Sequence, residues 1–517
     1  MTYRARHARA ATPVSPQVRV RKLRAGRPQA GEEARPGQGA RTAIGDQPDV
    51  QTAVSTTAGS RLGRLGTPLL LVGAVAFALA LARFIAHAAE PSFLARMFDL
   101  GIYRDGGLIV RHAYHFRSGR PTPLYDWVSP GGGNPFTYPP FAAAIFAVIS
   151  FLSPLVLAWG MTALSLGALV AAIWLTIGAV GVPKGRARTG ALLAASAVAL
   201  WTQPVQSNLG LGQINLLLMA AIIWDLRPAP RGSQSNWWTG IATGVAAGVK
   251  LTPLIFIPYL LVTRRFRQAA VALAAFAATV GIGFAAMPGA SATYWQSGLL
   301  DRANGTTKAN VEFFFASAWN QSLRGYLSRL LRHAQLATGP WLIAAALTLV
   351  IGLVCATWLH RDGYPMLGVL TCALTGLLIS PISWLHHWVW VGPWLAALGG
   401  LALLARGSSW RVWLGVAALV TLAFGNFPAL PVLTGSANGL NVVTDDPMKQ
   451  SLTWHGTQVI AGNIYVFAGA AGLLALFGWG IVRAFLPAPA AARTGVRPLP
   501  PAPTNVEVIP NVMTYRE

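Results

Sequence analysis

LAWGMTALSLGALVAAIWLTIGAV, residues 157–180, runs for 24 positions without a charged side chain. About 20 apolar residues in a helix cross a hydrocarbon core of about 30 Å, and a helix is one of the few backbones that satisfies its own polar groups there. The stretch is therefore a transmembrane helix. Comparable apolar runs lie at 67–88, 138–153, 189–205, 209–226, 237–249, 251–263, 267–287, 340–359, 364–380, 384–405, 409–425 and 460–484. The expected fold class is all-α, a polytopic membrane protein.

Composition agrees. Of 517 residues, 54% are apolar and 11% charged, against roughly a quarter charged in soluble domains. The net charge of +24 comes from 40 Lys+Arg and 16 Asp+Glu. A nucleic-acid partner is not expected, because such partners need basic residues grouped on a folded soluble surface. Here the basic residues sit in the N-terminal tail and in short loops. The only cysteines, Cys355 and Cys372, lie inside apolar runs and read as packing thiols.

Orientation follows from the charges. Lys184/Arg186/Arg188, Arg227/Arg231, Arg264/Arg265/Arg267, Arg361 and Arg406/Arg411 mark five loops that the positive-inside rule puts in the cytoplasm. The outer connections are then 89–137, 206–208, the neighbourhood of Lys250, 288–339, 381–383 and 426–459. Parity makes the short 138–153 run re-entrant or peripheral and leaves about twelve spans; taking 237–263 as one span instead breaks the charge rule at two loops. Residues 1–65, with twelve Lys/Arg and no apolar core near the start, read as a disordered basic cytoplasmic tail. Residues 66–486 form the membrane domain, and 487–517 a second, Pro/Ala-rich cytoplasmic tail. The expected location is the plasma membrane, with both termini inside.

This topology leaves eight carboxylates outside: Glu90, Asp99, Asp105, Asp126, Asp301, Glu312, Asp445 and Asp446. Four are in the first outer loop (89–137), three of them in its stretch FDLGIYRDGGLIVRHAYHFRSGRPTPLYDW (98–127), which continues into GGGNPFTYPPF (131–141). Asp99 and Tyr103, four apart, share a face of any helix there, whereas Asp105 faces away. One carboxylate can act as a base while the other supports the loop; both can also be plain surface charges.

A second cluster is SPISWLHHWVWVGPW (380–394). His386 and His387 can bind phosphate as imidazolium groups, position a reactant or donate a proton, or they can simply anchor the interface. Neighbours on a helix diverge by about 100°, which disfavours chelation of one metal. Lys250 in GVKLTPL costs roughly 2.5 to 3.5 kcal/mol at a membrane centre. It either snorkels outward or serves as a point charge for phosphate. Asn208, Gln213 and Asn215 in NLGLGQINLL (208–217) cap an outer turn or bind sugar hydroxyls. In WNQSLRGYLSRLLR (319–332) the spacing predicts an amphipathic helix on the outer interface, carrying Arg324, Arg329 and Arg332, with the Asn320 and Gln321 amides free for ligand.

DLGIYRDGG, LYDW with NPFTYPPF, GQINLLL, GVKLTPLIF, WNQSLRG and SPISWLHH, in this order, resemble the polyprenyl-phosphate-dependent glycosyltransferases of the GT-C superfamily, specifically the actinobacterial mannosyltransferases of glycosyltransferase family 87. The resemblance covers about residues 95–395. It implies a GT-C-like fold with long outer loops and an active site at the outer membrane face. It also implies inverting transfer of mannose from a polyprenyl-phosphate donor to a glycolipid such as a phosphatidyl-inositol mannoside or lipomannan. By the same resemblance, Asp99 is the catalytic base, and Lys250, His386 and His387 lie near the donor phosphate. Sugar or acceptor contacts are expected of Tyr103, Arg104, Asp105, Tyr138, Gln213, Asn215, Asn320, Gln321 and Trp384. No cofactor is required beyond the polyprenyl-phosphate donor and no metal ligands are assigned, while a divalent ion assisting the phosphate stays open. Arabinofuranosyl transfer from a lipid-phosphate donor is the near alternative. A lipid-linked-sugar transporter or flippase is the distant one, and the absence of internal repeats and the clustering of ionisable groups at one face argue against it.

Overall fold

The computed structural model describes residues 50–90, 93, 97–111, 123–127, 135–228, 236–298, 315–333, 336–425, 454 and 456–485. Asp301, Glu312, Asp445 and Asp446, the C-terminal tail and the N-terminal tail up to residue 49 lie outside them. The described residues are helical, and the only extended pairings among them with both partners described are two isolated bridges, Thr202 with Gly425 and Asn320 with Trp384.

In chain order the helices are α1 (Val50–Ala88), α2 (Phe98–Val110), α3 (Pro140–Ile149), α4 (Pro154–Ala179), α5 (Arg186–Trp201), α6 (Gln203–Leu211), α7 (Asn215–Leu226) and α8 (Ile241–Val249). A 3-10 turn, Thr252–Ile255, leads to α9 (Phe256–Val262), α10 (Phe266–Ala286) and α11 (Pro288–Thr293), which ends in a π turn at Tyr294–Gly298. Then come α12 (Leu323–Leu330), α13 (Thr338–Arg361), α14 (Pro365–Ile379), a second 3-10 turn (Leu385–Trp390), α15 (Val391–Leu404), α16 (Trp410–Phe424), α17 (Thr457–Gly462) and α18 (Ile464–Phe485). Helix α1 starts well before the apolar run at Thr67 and carries Pro68 inside it.

Local chemistry sets the boundaries. The Ser153 hydroxyl accepts from the Val156 N–H at 3.3 Å and Pro154 occupies the first turn, starting the 26-residue α4. Where helices touch, small residues let the backbones close up. A Cβ on Gly244 of α8 would sit 2.2 Å from the Ala272 carbonyl oxygen of α10, and one on Gly352 of α13 would sit 2.0 Å from Thr375 Oγ1 of α14. Side chains on the outward faces, such as Leu71, Val75 and Leu79 of α1 and Leu347 and Val350 of α13, are exposed and apolar. That is the surface a lipid environment requires.

Among the described residues, six helices are individually long and apolar enough to span a membrane, and seven if the bent pair α6–α7 counts as one. Other apolar runs form shorter helices: α3, α14, α16 and the pair of turns Thr252–Val262. At ten residues α3 extends about 15 Å, half a bilayer core. Two expectations change. The connection placed at 206–208 lies inside α6, and the turn falls instead at Gly212–Ile214, where glycine takes the left-handed backbone (φ 66°) without steric cost. The amphipathic helix α12 is inverted, with Leu330 exposed while Arg324 and Arg329 are 2% and 6% exposed. The reason is that Arg329 donates to the Ser317 and Asn320 carbonyls of the preceding loop and to Asn463 Oδ1 at the α17–α18 junction, a set of buried oxygens that draws the guanidinium inward.

Candidate active site

The bend between α6 and α7, 116° in all, presses Gly212 onto α2. A Cβ on Gly212 would lie 2.7 Å from Leu100 Cβ. The close approach delivers Gln213 to Asp99, in the first turn of α2, and Gln213 Nε2 donates to Asp99 Oδ2 at 2.8 Å. One helical turn on, Tyr103 OH donates to Gln213 Oε1 at 2.7 Å, as the four-residue spacing from Asp99 requires. Tyr138, just before α3, brings its hydroxyl within 2.8 Å of Tyr103 OH and 3.2 Å of Gln213 Oε1. An aromatic shell fixes both phenols: Tyr103 stacks on Phe146 with centroids 4.5 Å apart, and Tyr138 meets the same ring edge-on.

Asn215 continues the line. Its Nδ2 donates to Gln213 Oε1 at 3.3 Å and to the His386 carbonyl at 3.1 Å, while its Oδ1 accepts from Lys250 Nζ at 2.8 Å. Lys250 has left α8 for extended backbone (φ −150°, ψ 126°), which frees its side chain to reach across. Its Nζ lies 3.0 Å from His387 Nε2 and 5.4 Å from the centre of the Tyr138 ring. Asp99, Gln213, Asn215, Lys250 and His387 thus form one continuous polar line. Of the residues expected at the site, Tyr103 and Tyr138 join it as well.

Others do not join it. The His386 ring turns away, edge-on to His387 at 4.9 Å; it is buried, its Nε2 has no partner, and only its carbonyl enters the network. Arg104 reaches the Leu152 carbonyl instead, at 3.4 Å. Asp105 is half-buried and off the line, its carboxyl pushed up by burial. Asn320 and Gln321, expected to be free amides, are fully buried and used internally. Asn320 Oδ1 accepts from the Ser383 N–H at 2.9 Å, its Nδ2 donates to the Pro381 carbonyl at 3.1 Å, and Gln321 Nε2 donates to the Gly462 carbonyl at 2.7 Å. Trp384 meets Asn320 through a backbone bridge. These residues hold the loop that precedes His387. Sequence reasoning missed Ser383 and Asn463, small polar residues with no signal of their own; they matter through what they tie together.

Burial pushes the Asp99 carboxyl up to about 6, with the Gln213 N–H and the Lys250 charge opposing the rise. A carboxylate so placed is a base near neutral pH. From Asn215 and His387 a groove runs into the helices. Thr252, Ser380 and Ser383 stand with them among its polar lining, and Leu218, Ile222, Phe256, Ala373 and Gly376 are among its apolar residues. Among the described residues no three His, Cys, Asp or Glu side chains converge as a metal site.

A carboxylate and a lysine at the two ends of one polar line, with an apolar groove in a bundle of membrane helices, suit a membrane enzyme that acts on a lipid-linked substrate. Residues 136–381 match the model of glycosyltransferase family 87. The chain is 35% identical over 371 residues to a polyprenol-phosphate-mannose-dependent alpha-(1-2)-phosphatidylinositol pentamannoside mannosyltransferase of Mycobacterium tuberculosis, covering 68% of this chain and 78% of that protein. It is 32% identical over 389 residues to the Mycolicibacterium smegmatis protein of the same description, covering 72% and 87%. It is 31% identical over 392 residues to an alpha-(1-2)-phosphatidylinositol mannoside mannosyltransferase of M. tuberculosis, covering 72% and 85%. No solved structure matches it. The chain belongs to glycosyltransferase family 87.

Proposed function

We propose that this chain transfers mannose, with inversion, from polyprenyl-phosphate mannose to a phosphatidyl-inositol mannoside or a related glycolipid at the outer face of the plasma membrane. The observation that carries the reading is the line from Asp99 to Lys250 and His387, with a base at one end and, at the other, a cation held by Asn215 and His387, two residues that line an apolar groove. The family and the donor and acceptor in the relatives' names support mannose over arabinofuranose.

In this reading Asp99 takes the proton of an acceptor hydroxyl as that oxygen bonds to the anomeric carbon. The bond from that carbon to the phosphate oxygen breaks, and its electron pair leaves on polyprenyl phosphate. Lys250 has three N–H groups; Asn215 Oδ1 and His387 Nε2 engage two, and the third is available to a phosphate oxygen. Charge developing on the leaving group meets a fixed cation, the arrangement that most lowers such barriers. The groove takes the isoprenoid tail. No cofactor enters these steps. The positive-inside rule applied to the five basic loops supports cytoplasmic termini and an outer Asp99 end.

The test is transfer of radiolabelled mannose from synthetic polyprenyl-phosphate mannose to a phosphatidyl-inositol mannoside by the purified full chain, with Asp99→Asn alongside. Label in a longer glycolipid, lost in Asp99→Asn at unchanged expression, is the expected result. Transfer by Asp99→Asn at the native rate overturns the mechanism. No transfer from the mannosyl donor, followed by transfer from the arabinofuranosyl one, overturns the sugar.

A further inference from the structure

Gln213 and Asn215 have the amide side chains that usually bind sugar hydroxyls, yet they are only 4% and 9% exposed. Their amide orientations are forced by chemistry. Turning Gln213 over would set its oxygen against the Asp99 carboxylate, and turning Asn215 over would set its amino group against the Lys250 ammonium. In the orientation seen, Gln213 Oε1 accepts from Tyr103 OH and from Asn215 Nδ2, and both Asn215 Nδ2 hydrogens are engaged, on Gln213 Oε1 and the His386 carbonyl. Asn215 has no N–H left for a sugar.

We propose that Gln213 and Asn215 are positioning residues: Gln213 ties Asp99 Oδ2 so that Oδ1 alone is presented to the acceptor hydroxyl, and Asn215 holds Lys250 at the head of the groove. The two residues sit on one rigid turn, from Gln213 to the first residue of α7, and so fix the separation of base from cation. This rests on the proposed role of Asp99 as base. It assigns the two amides separable effects, on the base through Gln213 and on the donor through Asn215.

The groups facing Asp99 are the Tyr103 hydroxyl on its own helix, the Tyr138 hydroxyl from before α3, Gln213 from the turn and Lys250 from the end of α8, with His387 beyond Lys250 and Arg104 and Asp105 further along α2. Of the donors among them, Gln213 is the one bonded to the carboxylate. Two variants separate its functions. Gln213→Met removes both ends of the amide; Gln213→Glu keeps an oxygen for the tyrosine hydroxyls, loses the N–H to Asp99 and sets a second carboxyl against it, which raises the Asp99 carboxyl further in the same direction, so it remains informative if the first fails to fold.

The experiment measures kcat and KM for polyprenyl-phosphate mannose, and the pH dependence of kcat/KM, in the full chain, in both Gln213 variants, in Asn215→Leu and in Asp99→Asn. The expected result for the Gln213 variants is a fall of about tenfold in kcat, donor KM within about twofold, and an acidic limb moved up by about one pH unit, the size of one lost charged hydrogen bond. For Asn215→Leu it is a donor KM raised about tenfold with the acidic limb in place. An unmoved acidic limb in both Gln213 variants, with acceptor KM raised instead, overturns the proposal and returns Gln213 to sugar binding. Full activity in Asp99→Asn overturns the underlying reading instead, so the two failures are distinct.

Discussion

Lys250 Nζ and His387 Nε2, 137 residues apart in sequence, lie 3.0 Å from one another. A lysine ammonium has only donors, so the imidazole nitrogen facing it is the acceptor and the His387 proton resides on Nδ1. His387 therefore aims the lysine and does not itself present a positive charge to the phosphate. The pair is one cation with a fixed direction.

Removing that cation should be costly. Lys250→Met is expected to lower kcat/KM for the lipid-phosphate donor by about 10²–10³, the loss seen when one fixed donor to developing negative charge is deleted. Lys250→Arg should recover little, because a guanidinium fork cannot sit between Asn215 Oδ1 and His387 Nε2 as a point ammonium does. Steady-state kinetics in detergent checks both; Lys250→Met at native kcat/KM would remove Lys250 from the donor site.

The two histidines should separate. His387→Phe takes away the acceptor that orients Lys250 and is expected to lower kcat/KM about tenfold or more, whereas His387→Gln, which keeps a carbonyl acceptor, should retain most of the rate. His386 contributes its backbone carbonyl, so His386→Phe should preserve donor kinetics far better than His387→Phe. The reverse ranking would mean that the His386 ring faces substrate.

The pH profile has a definite sign. Asp99 works as a base only when ionised, and burial has raised its carboxyl from 3.8 to about 6. The log of kcat/KM should thus rise with unit slope up to about pH 6, leaving about a tenth of the rate at pH 5, and fall again above about pH 7, where Lys250, its ammonium lowered to about 7 by burial, loses the charge the donor needs. The donor phosphodiester is singly charged throughout this range and adds no inflection. Activity that stays flat down to pH 5 would show that the rate does not depend on this carboxylate.

Asn320→Ala should act on stability. It strands the buried Ser383 N–H, at about 1–3 kcal/mol, and leaves the Pro381 carbonyl with the Ser322 hydroxyl as its remaining donor. A thermal midpoint in detergent lowered by several degrees, with KM for the glycolipid acceptor unchanged, is the expected pair of results. A raised acceptor KM at native thermal stability would instead make Asn320 a sugar ligand.

How much of this was written in the sequence depends on the kind of signal each residue gives. The uncharged run at 157–180 announces a spanning helix because lipid tolerates little else, and α4 covers it. Asp99 and Tyr103 could be placed together because a four-residue spacing is a local geometric fact. Lys250 stood out by its cost in an apolar setting. The pairing of Gln213 with Asp99 spans 114 residues and depends on how the bend at Gly212 packs on α2, which no local pattern encodes. Periodicity gave α12 a polar face, but not the direction in which it points. That direction was set by buried oxygens at Ser317, Asn320 and the α17–α18 junction, which drew Arg329 inward.

The groove offers a test of what the donor tail touches. Gly376 lies four residues before Ser380, so it lines the groove about 6 Å further from the polar head, at 1.5 Å per helical residue. A Cβ there already comes within 3.1 Å of Ile255 Cγ2, and the remaining atoms of a leucine would have to enter the groove. Gly376→Leu should therefore leave a donor with a single isoprene unit nearly as good a substrate as before, because that unit ends near Ser380. A long-chain donor must pass position 376, and its KM should rise about tenfold as contacts with Ile222, Phe256 and Ala373 are lost. Kinetics with a series of synthetic donors of increasing chain length reads the difference directly. Equal losses for short and long donors would mean that the substitution disturbs the head of the groove, and no loss with either would mean that the tail lies elsewhere.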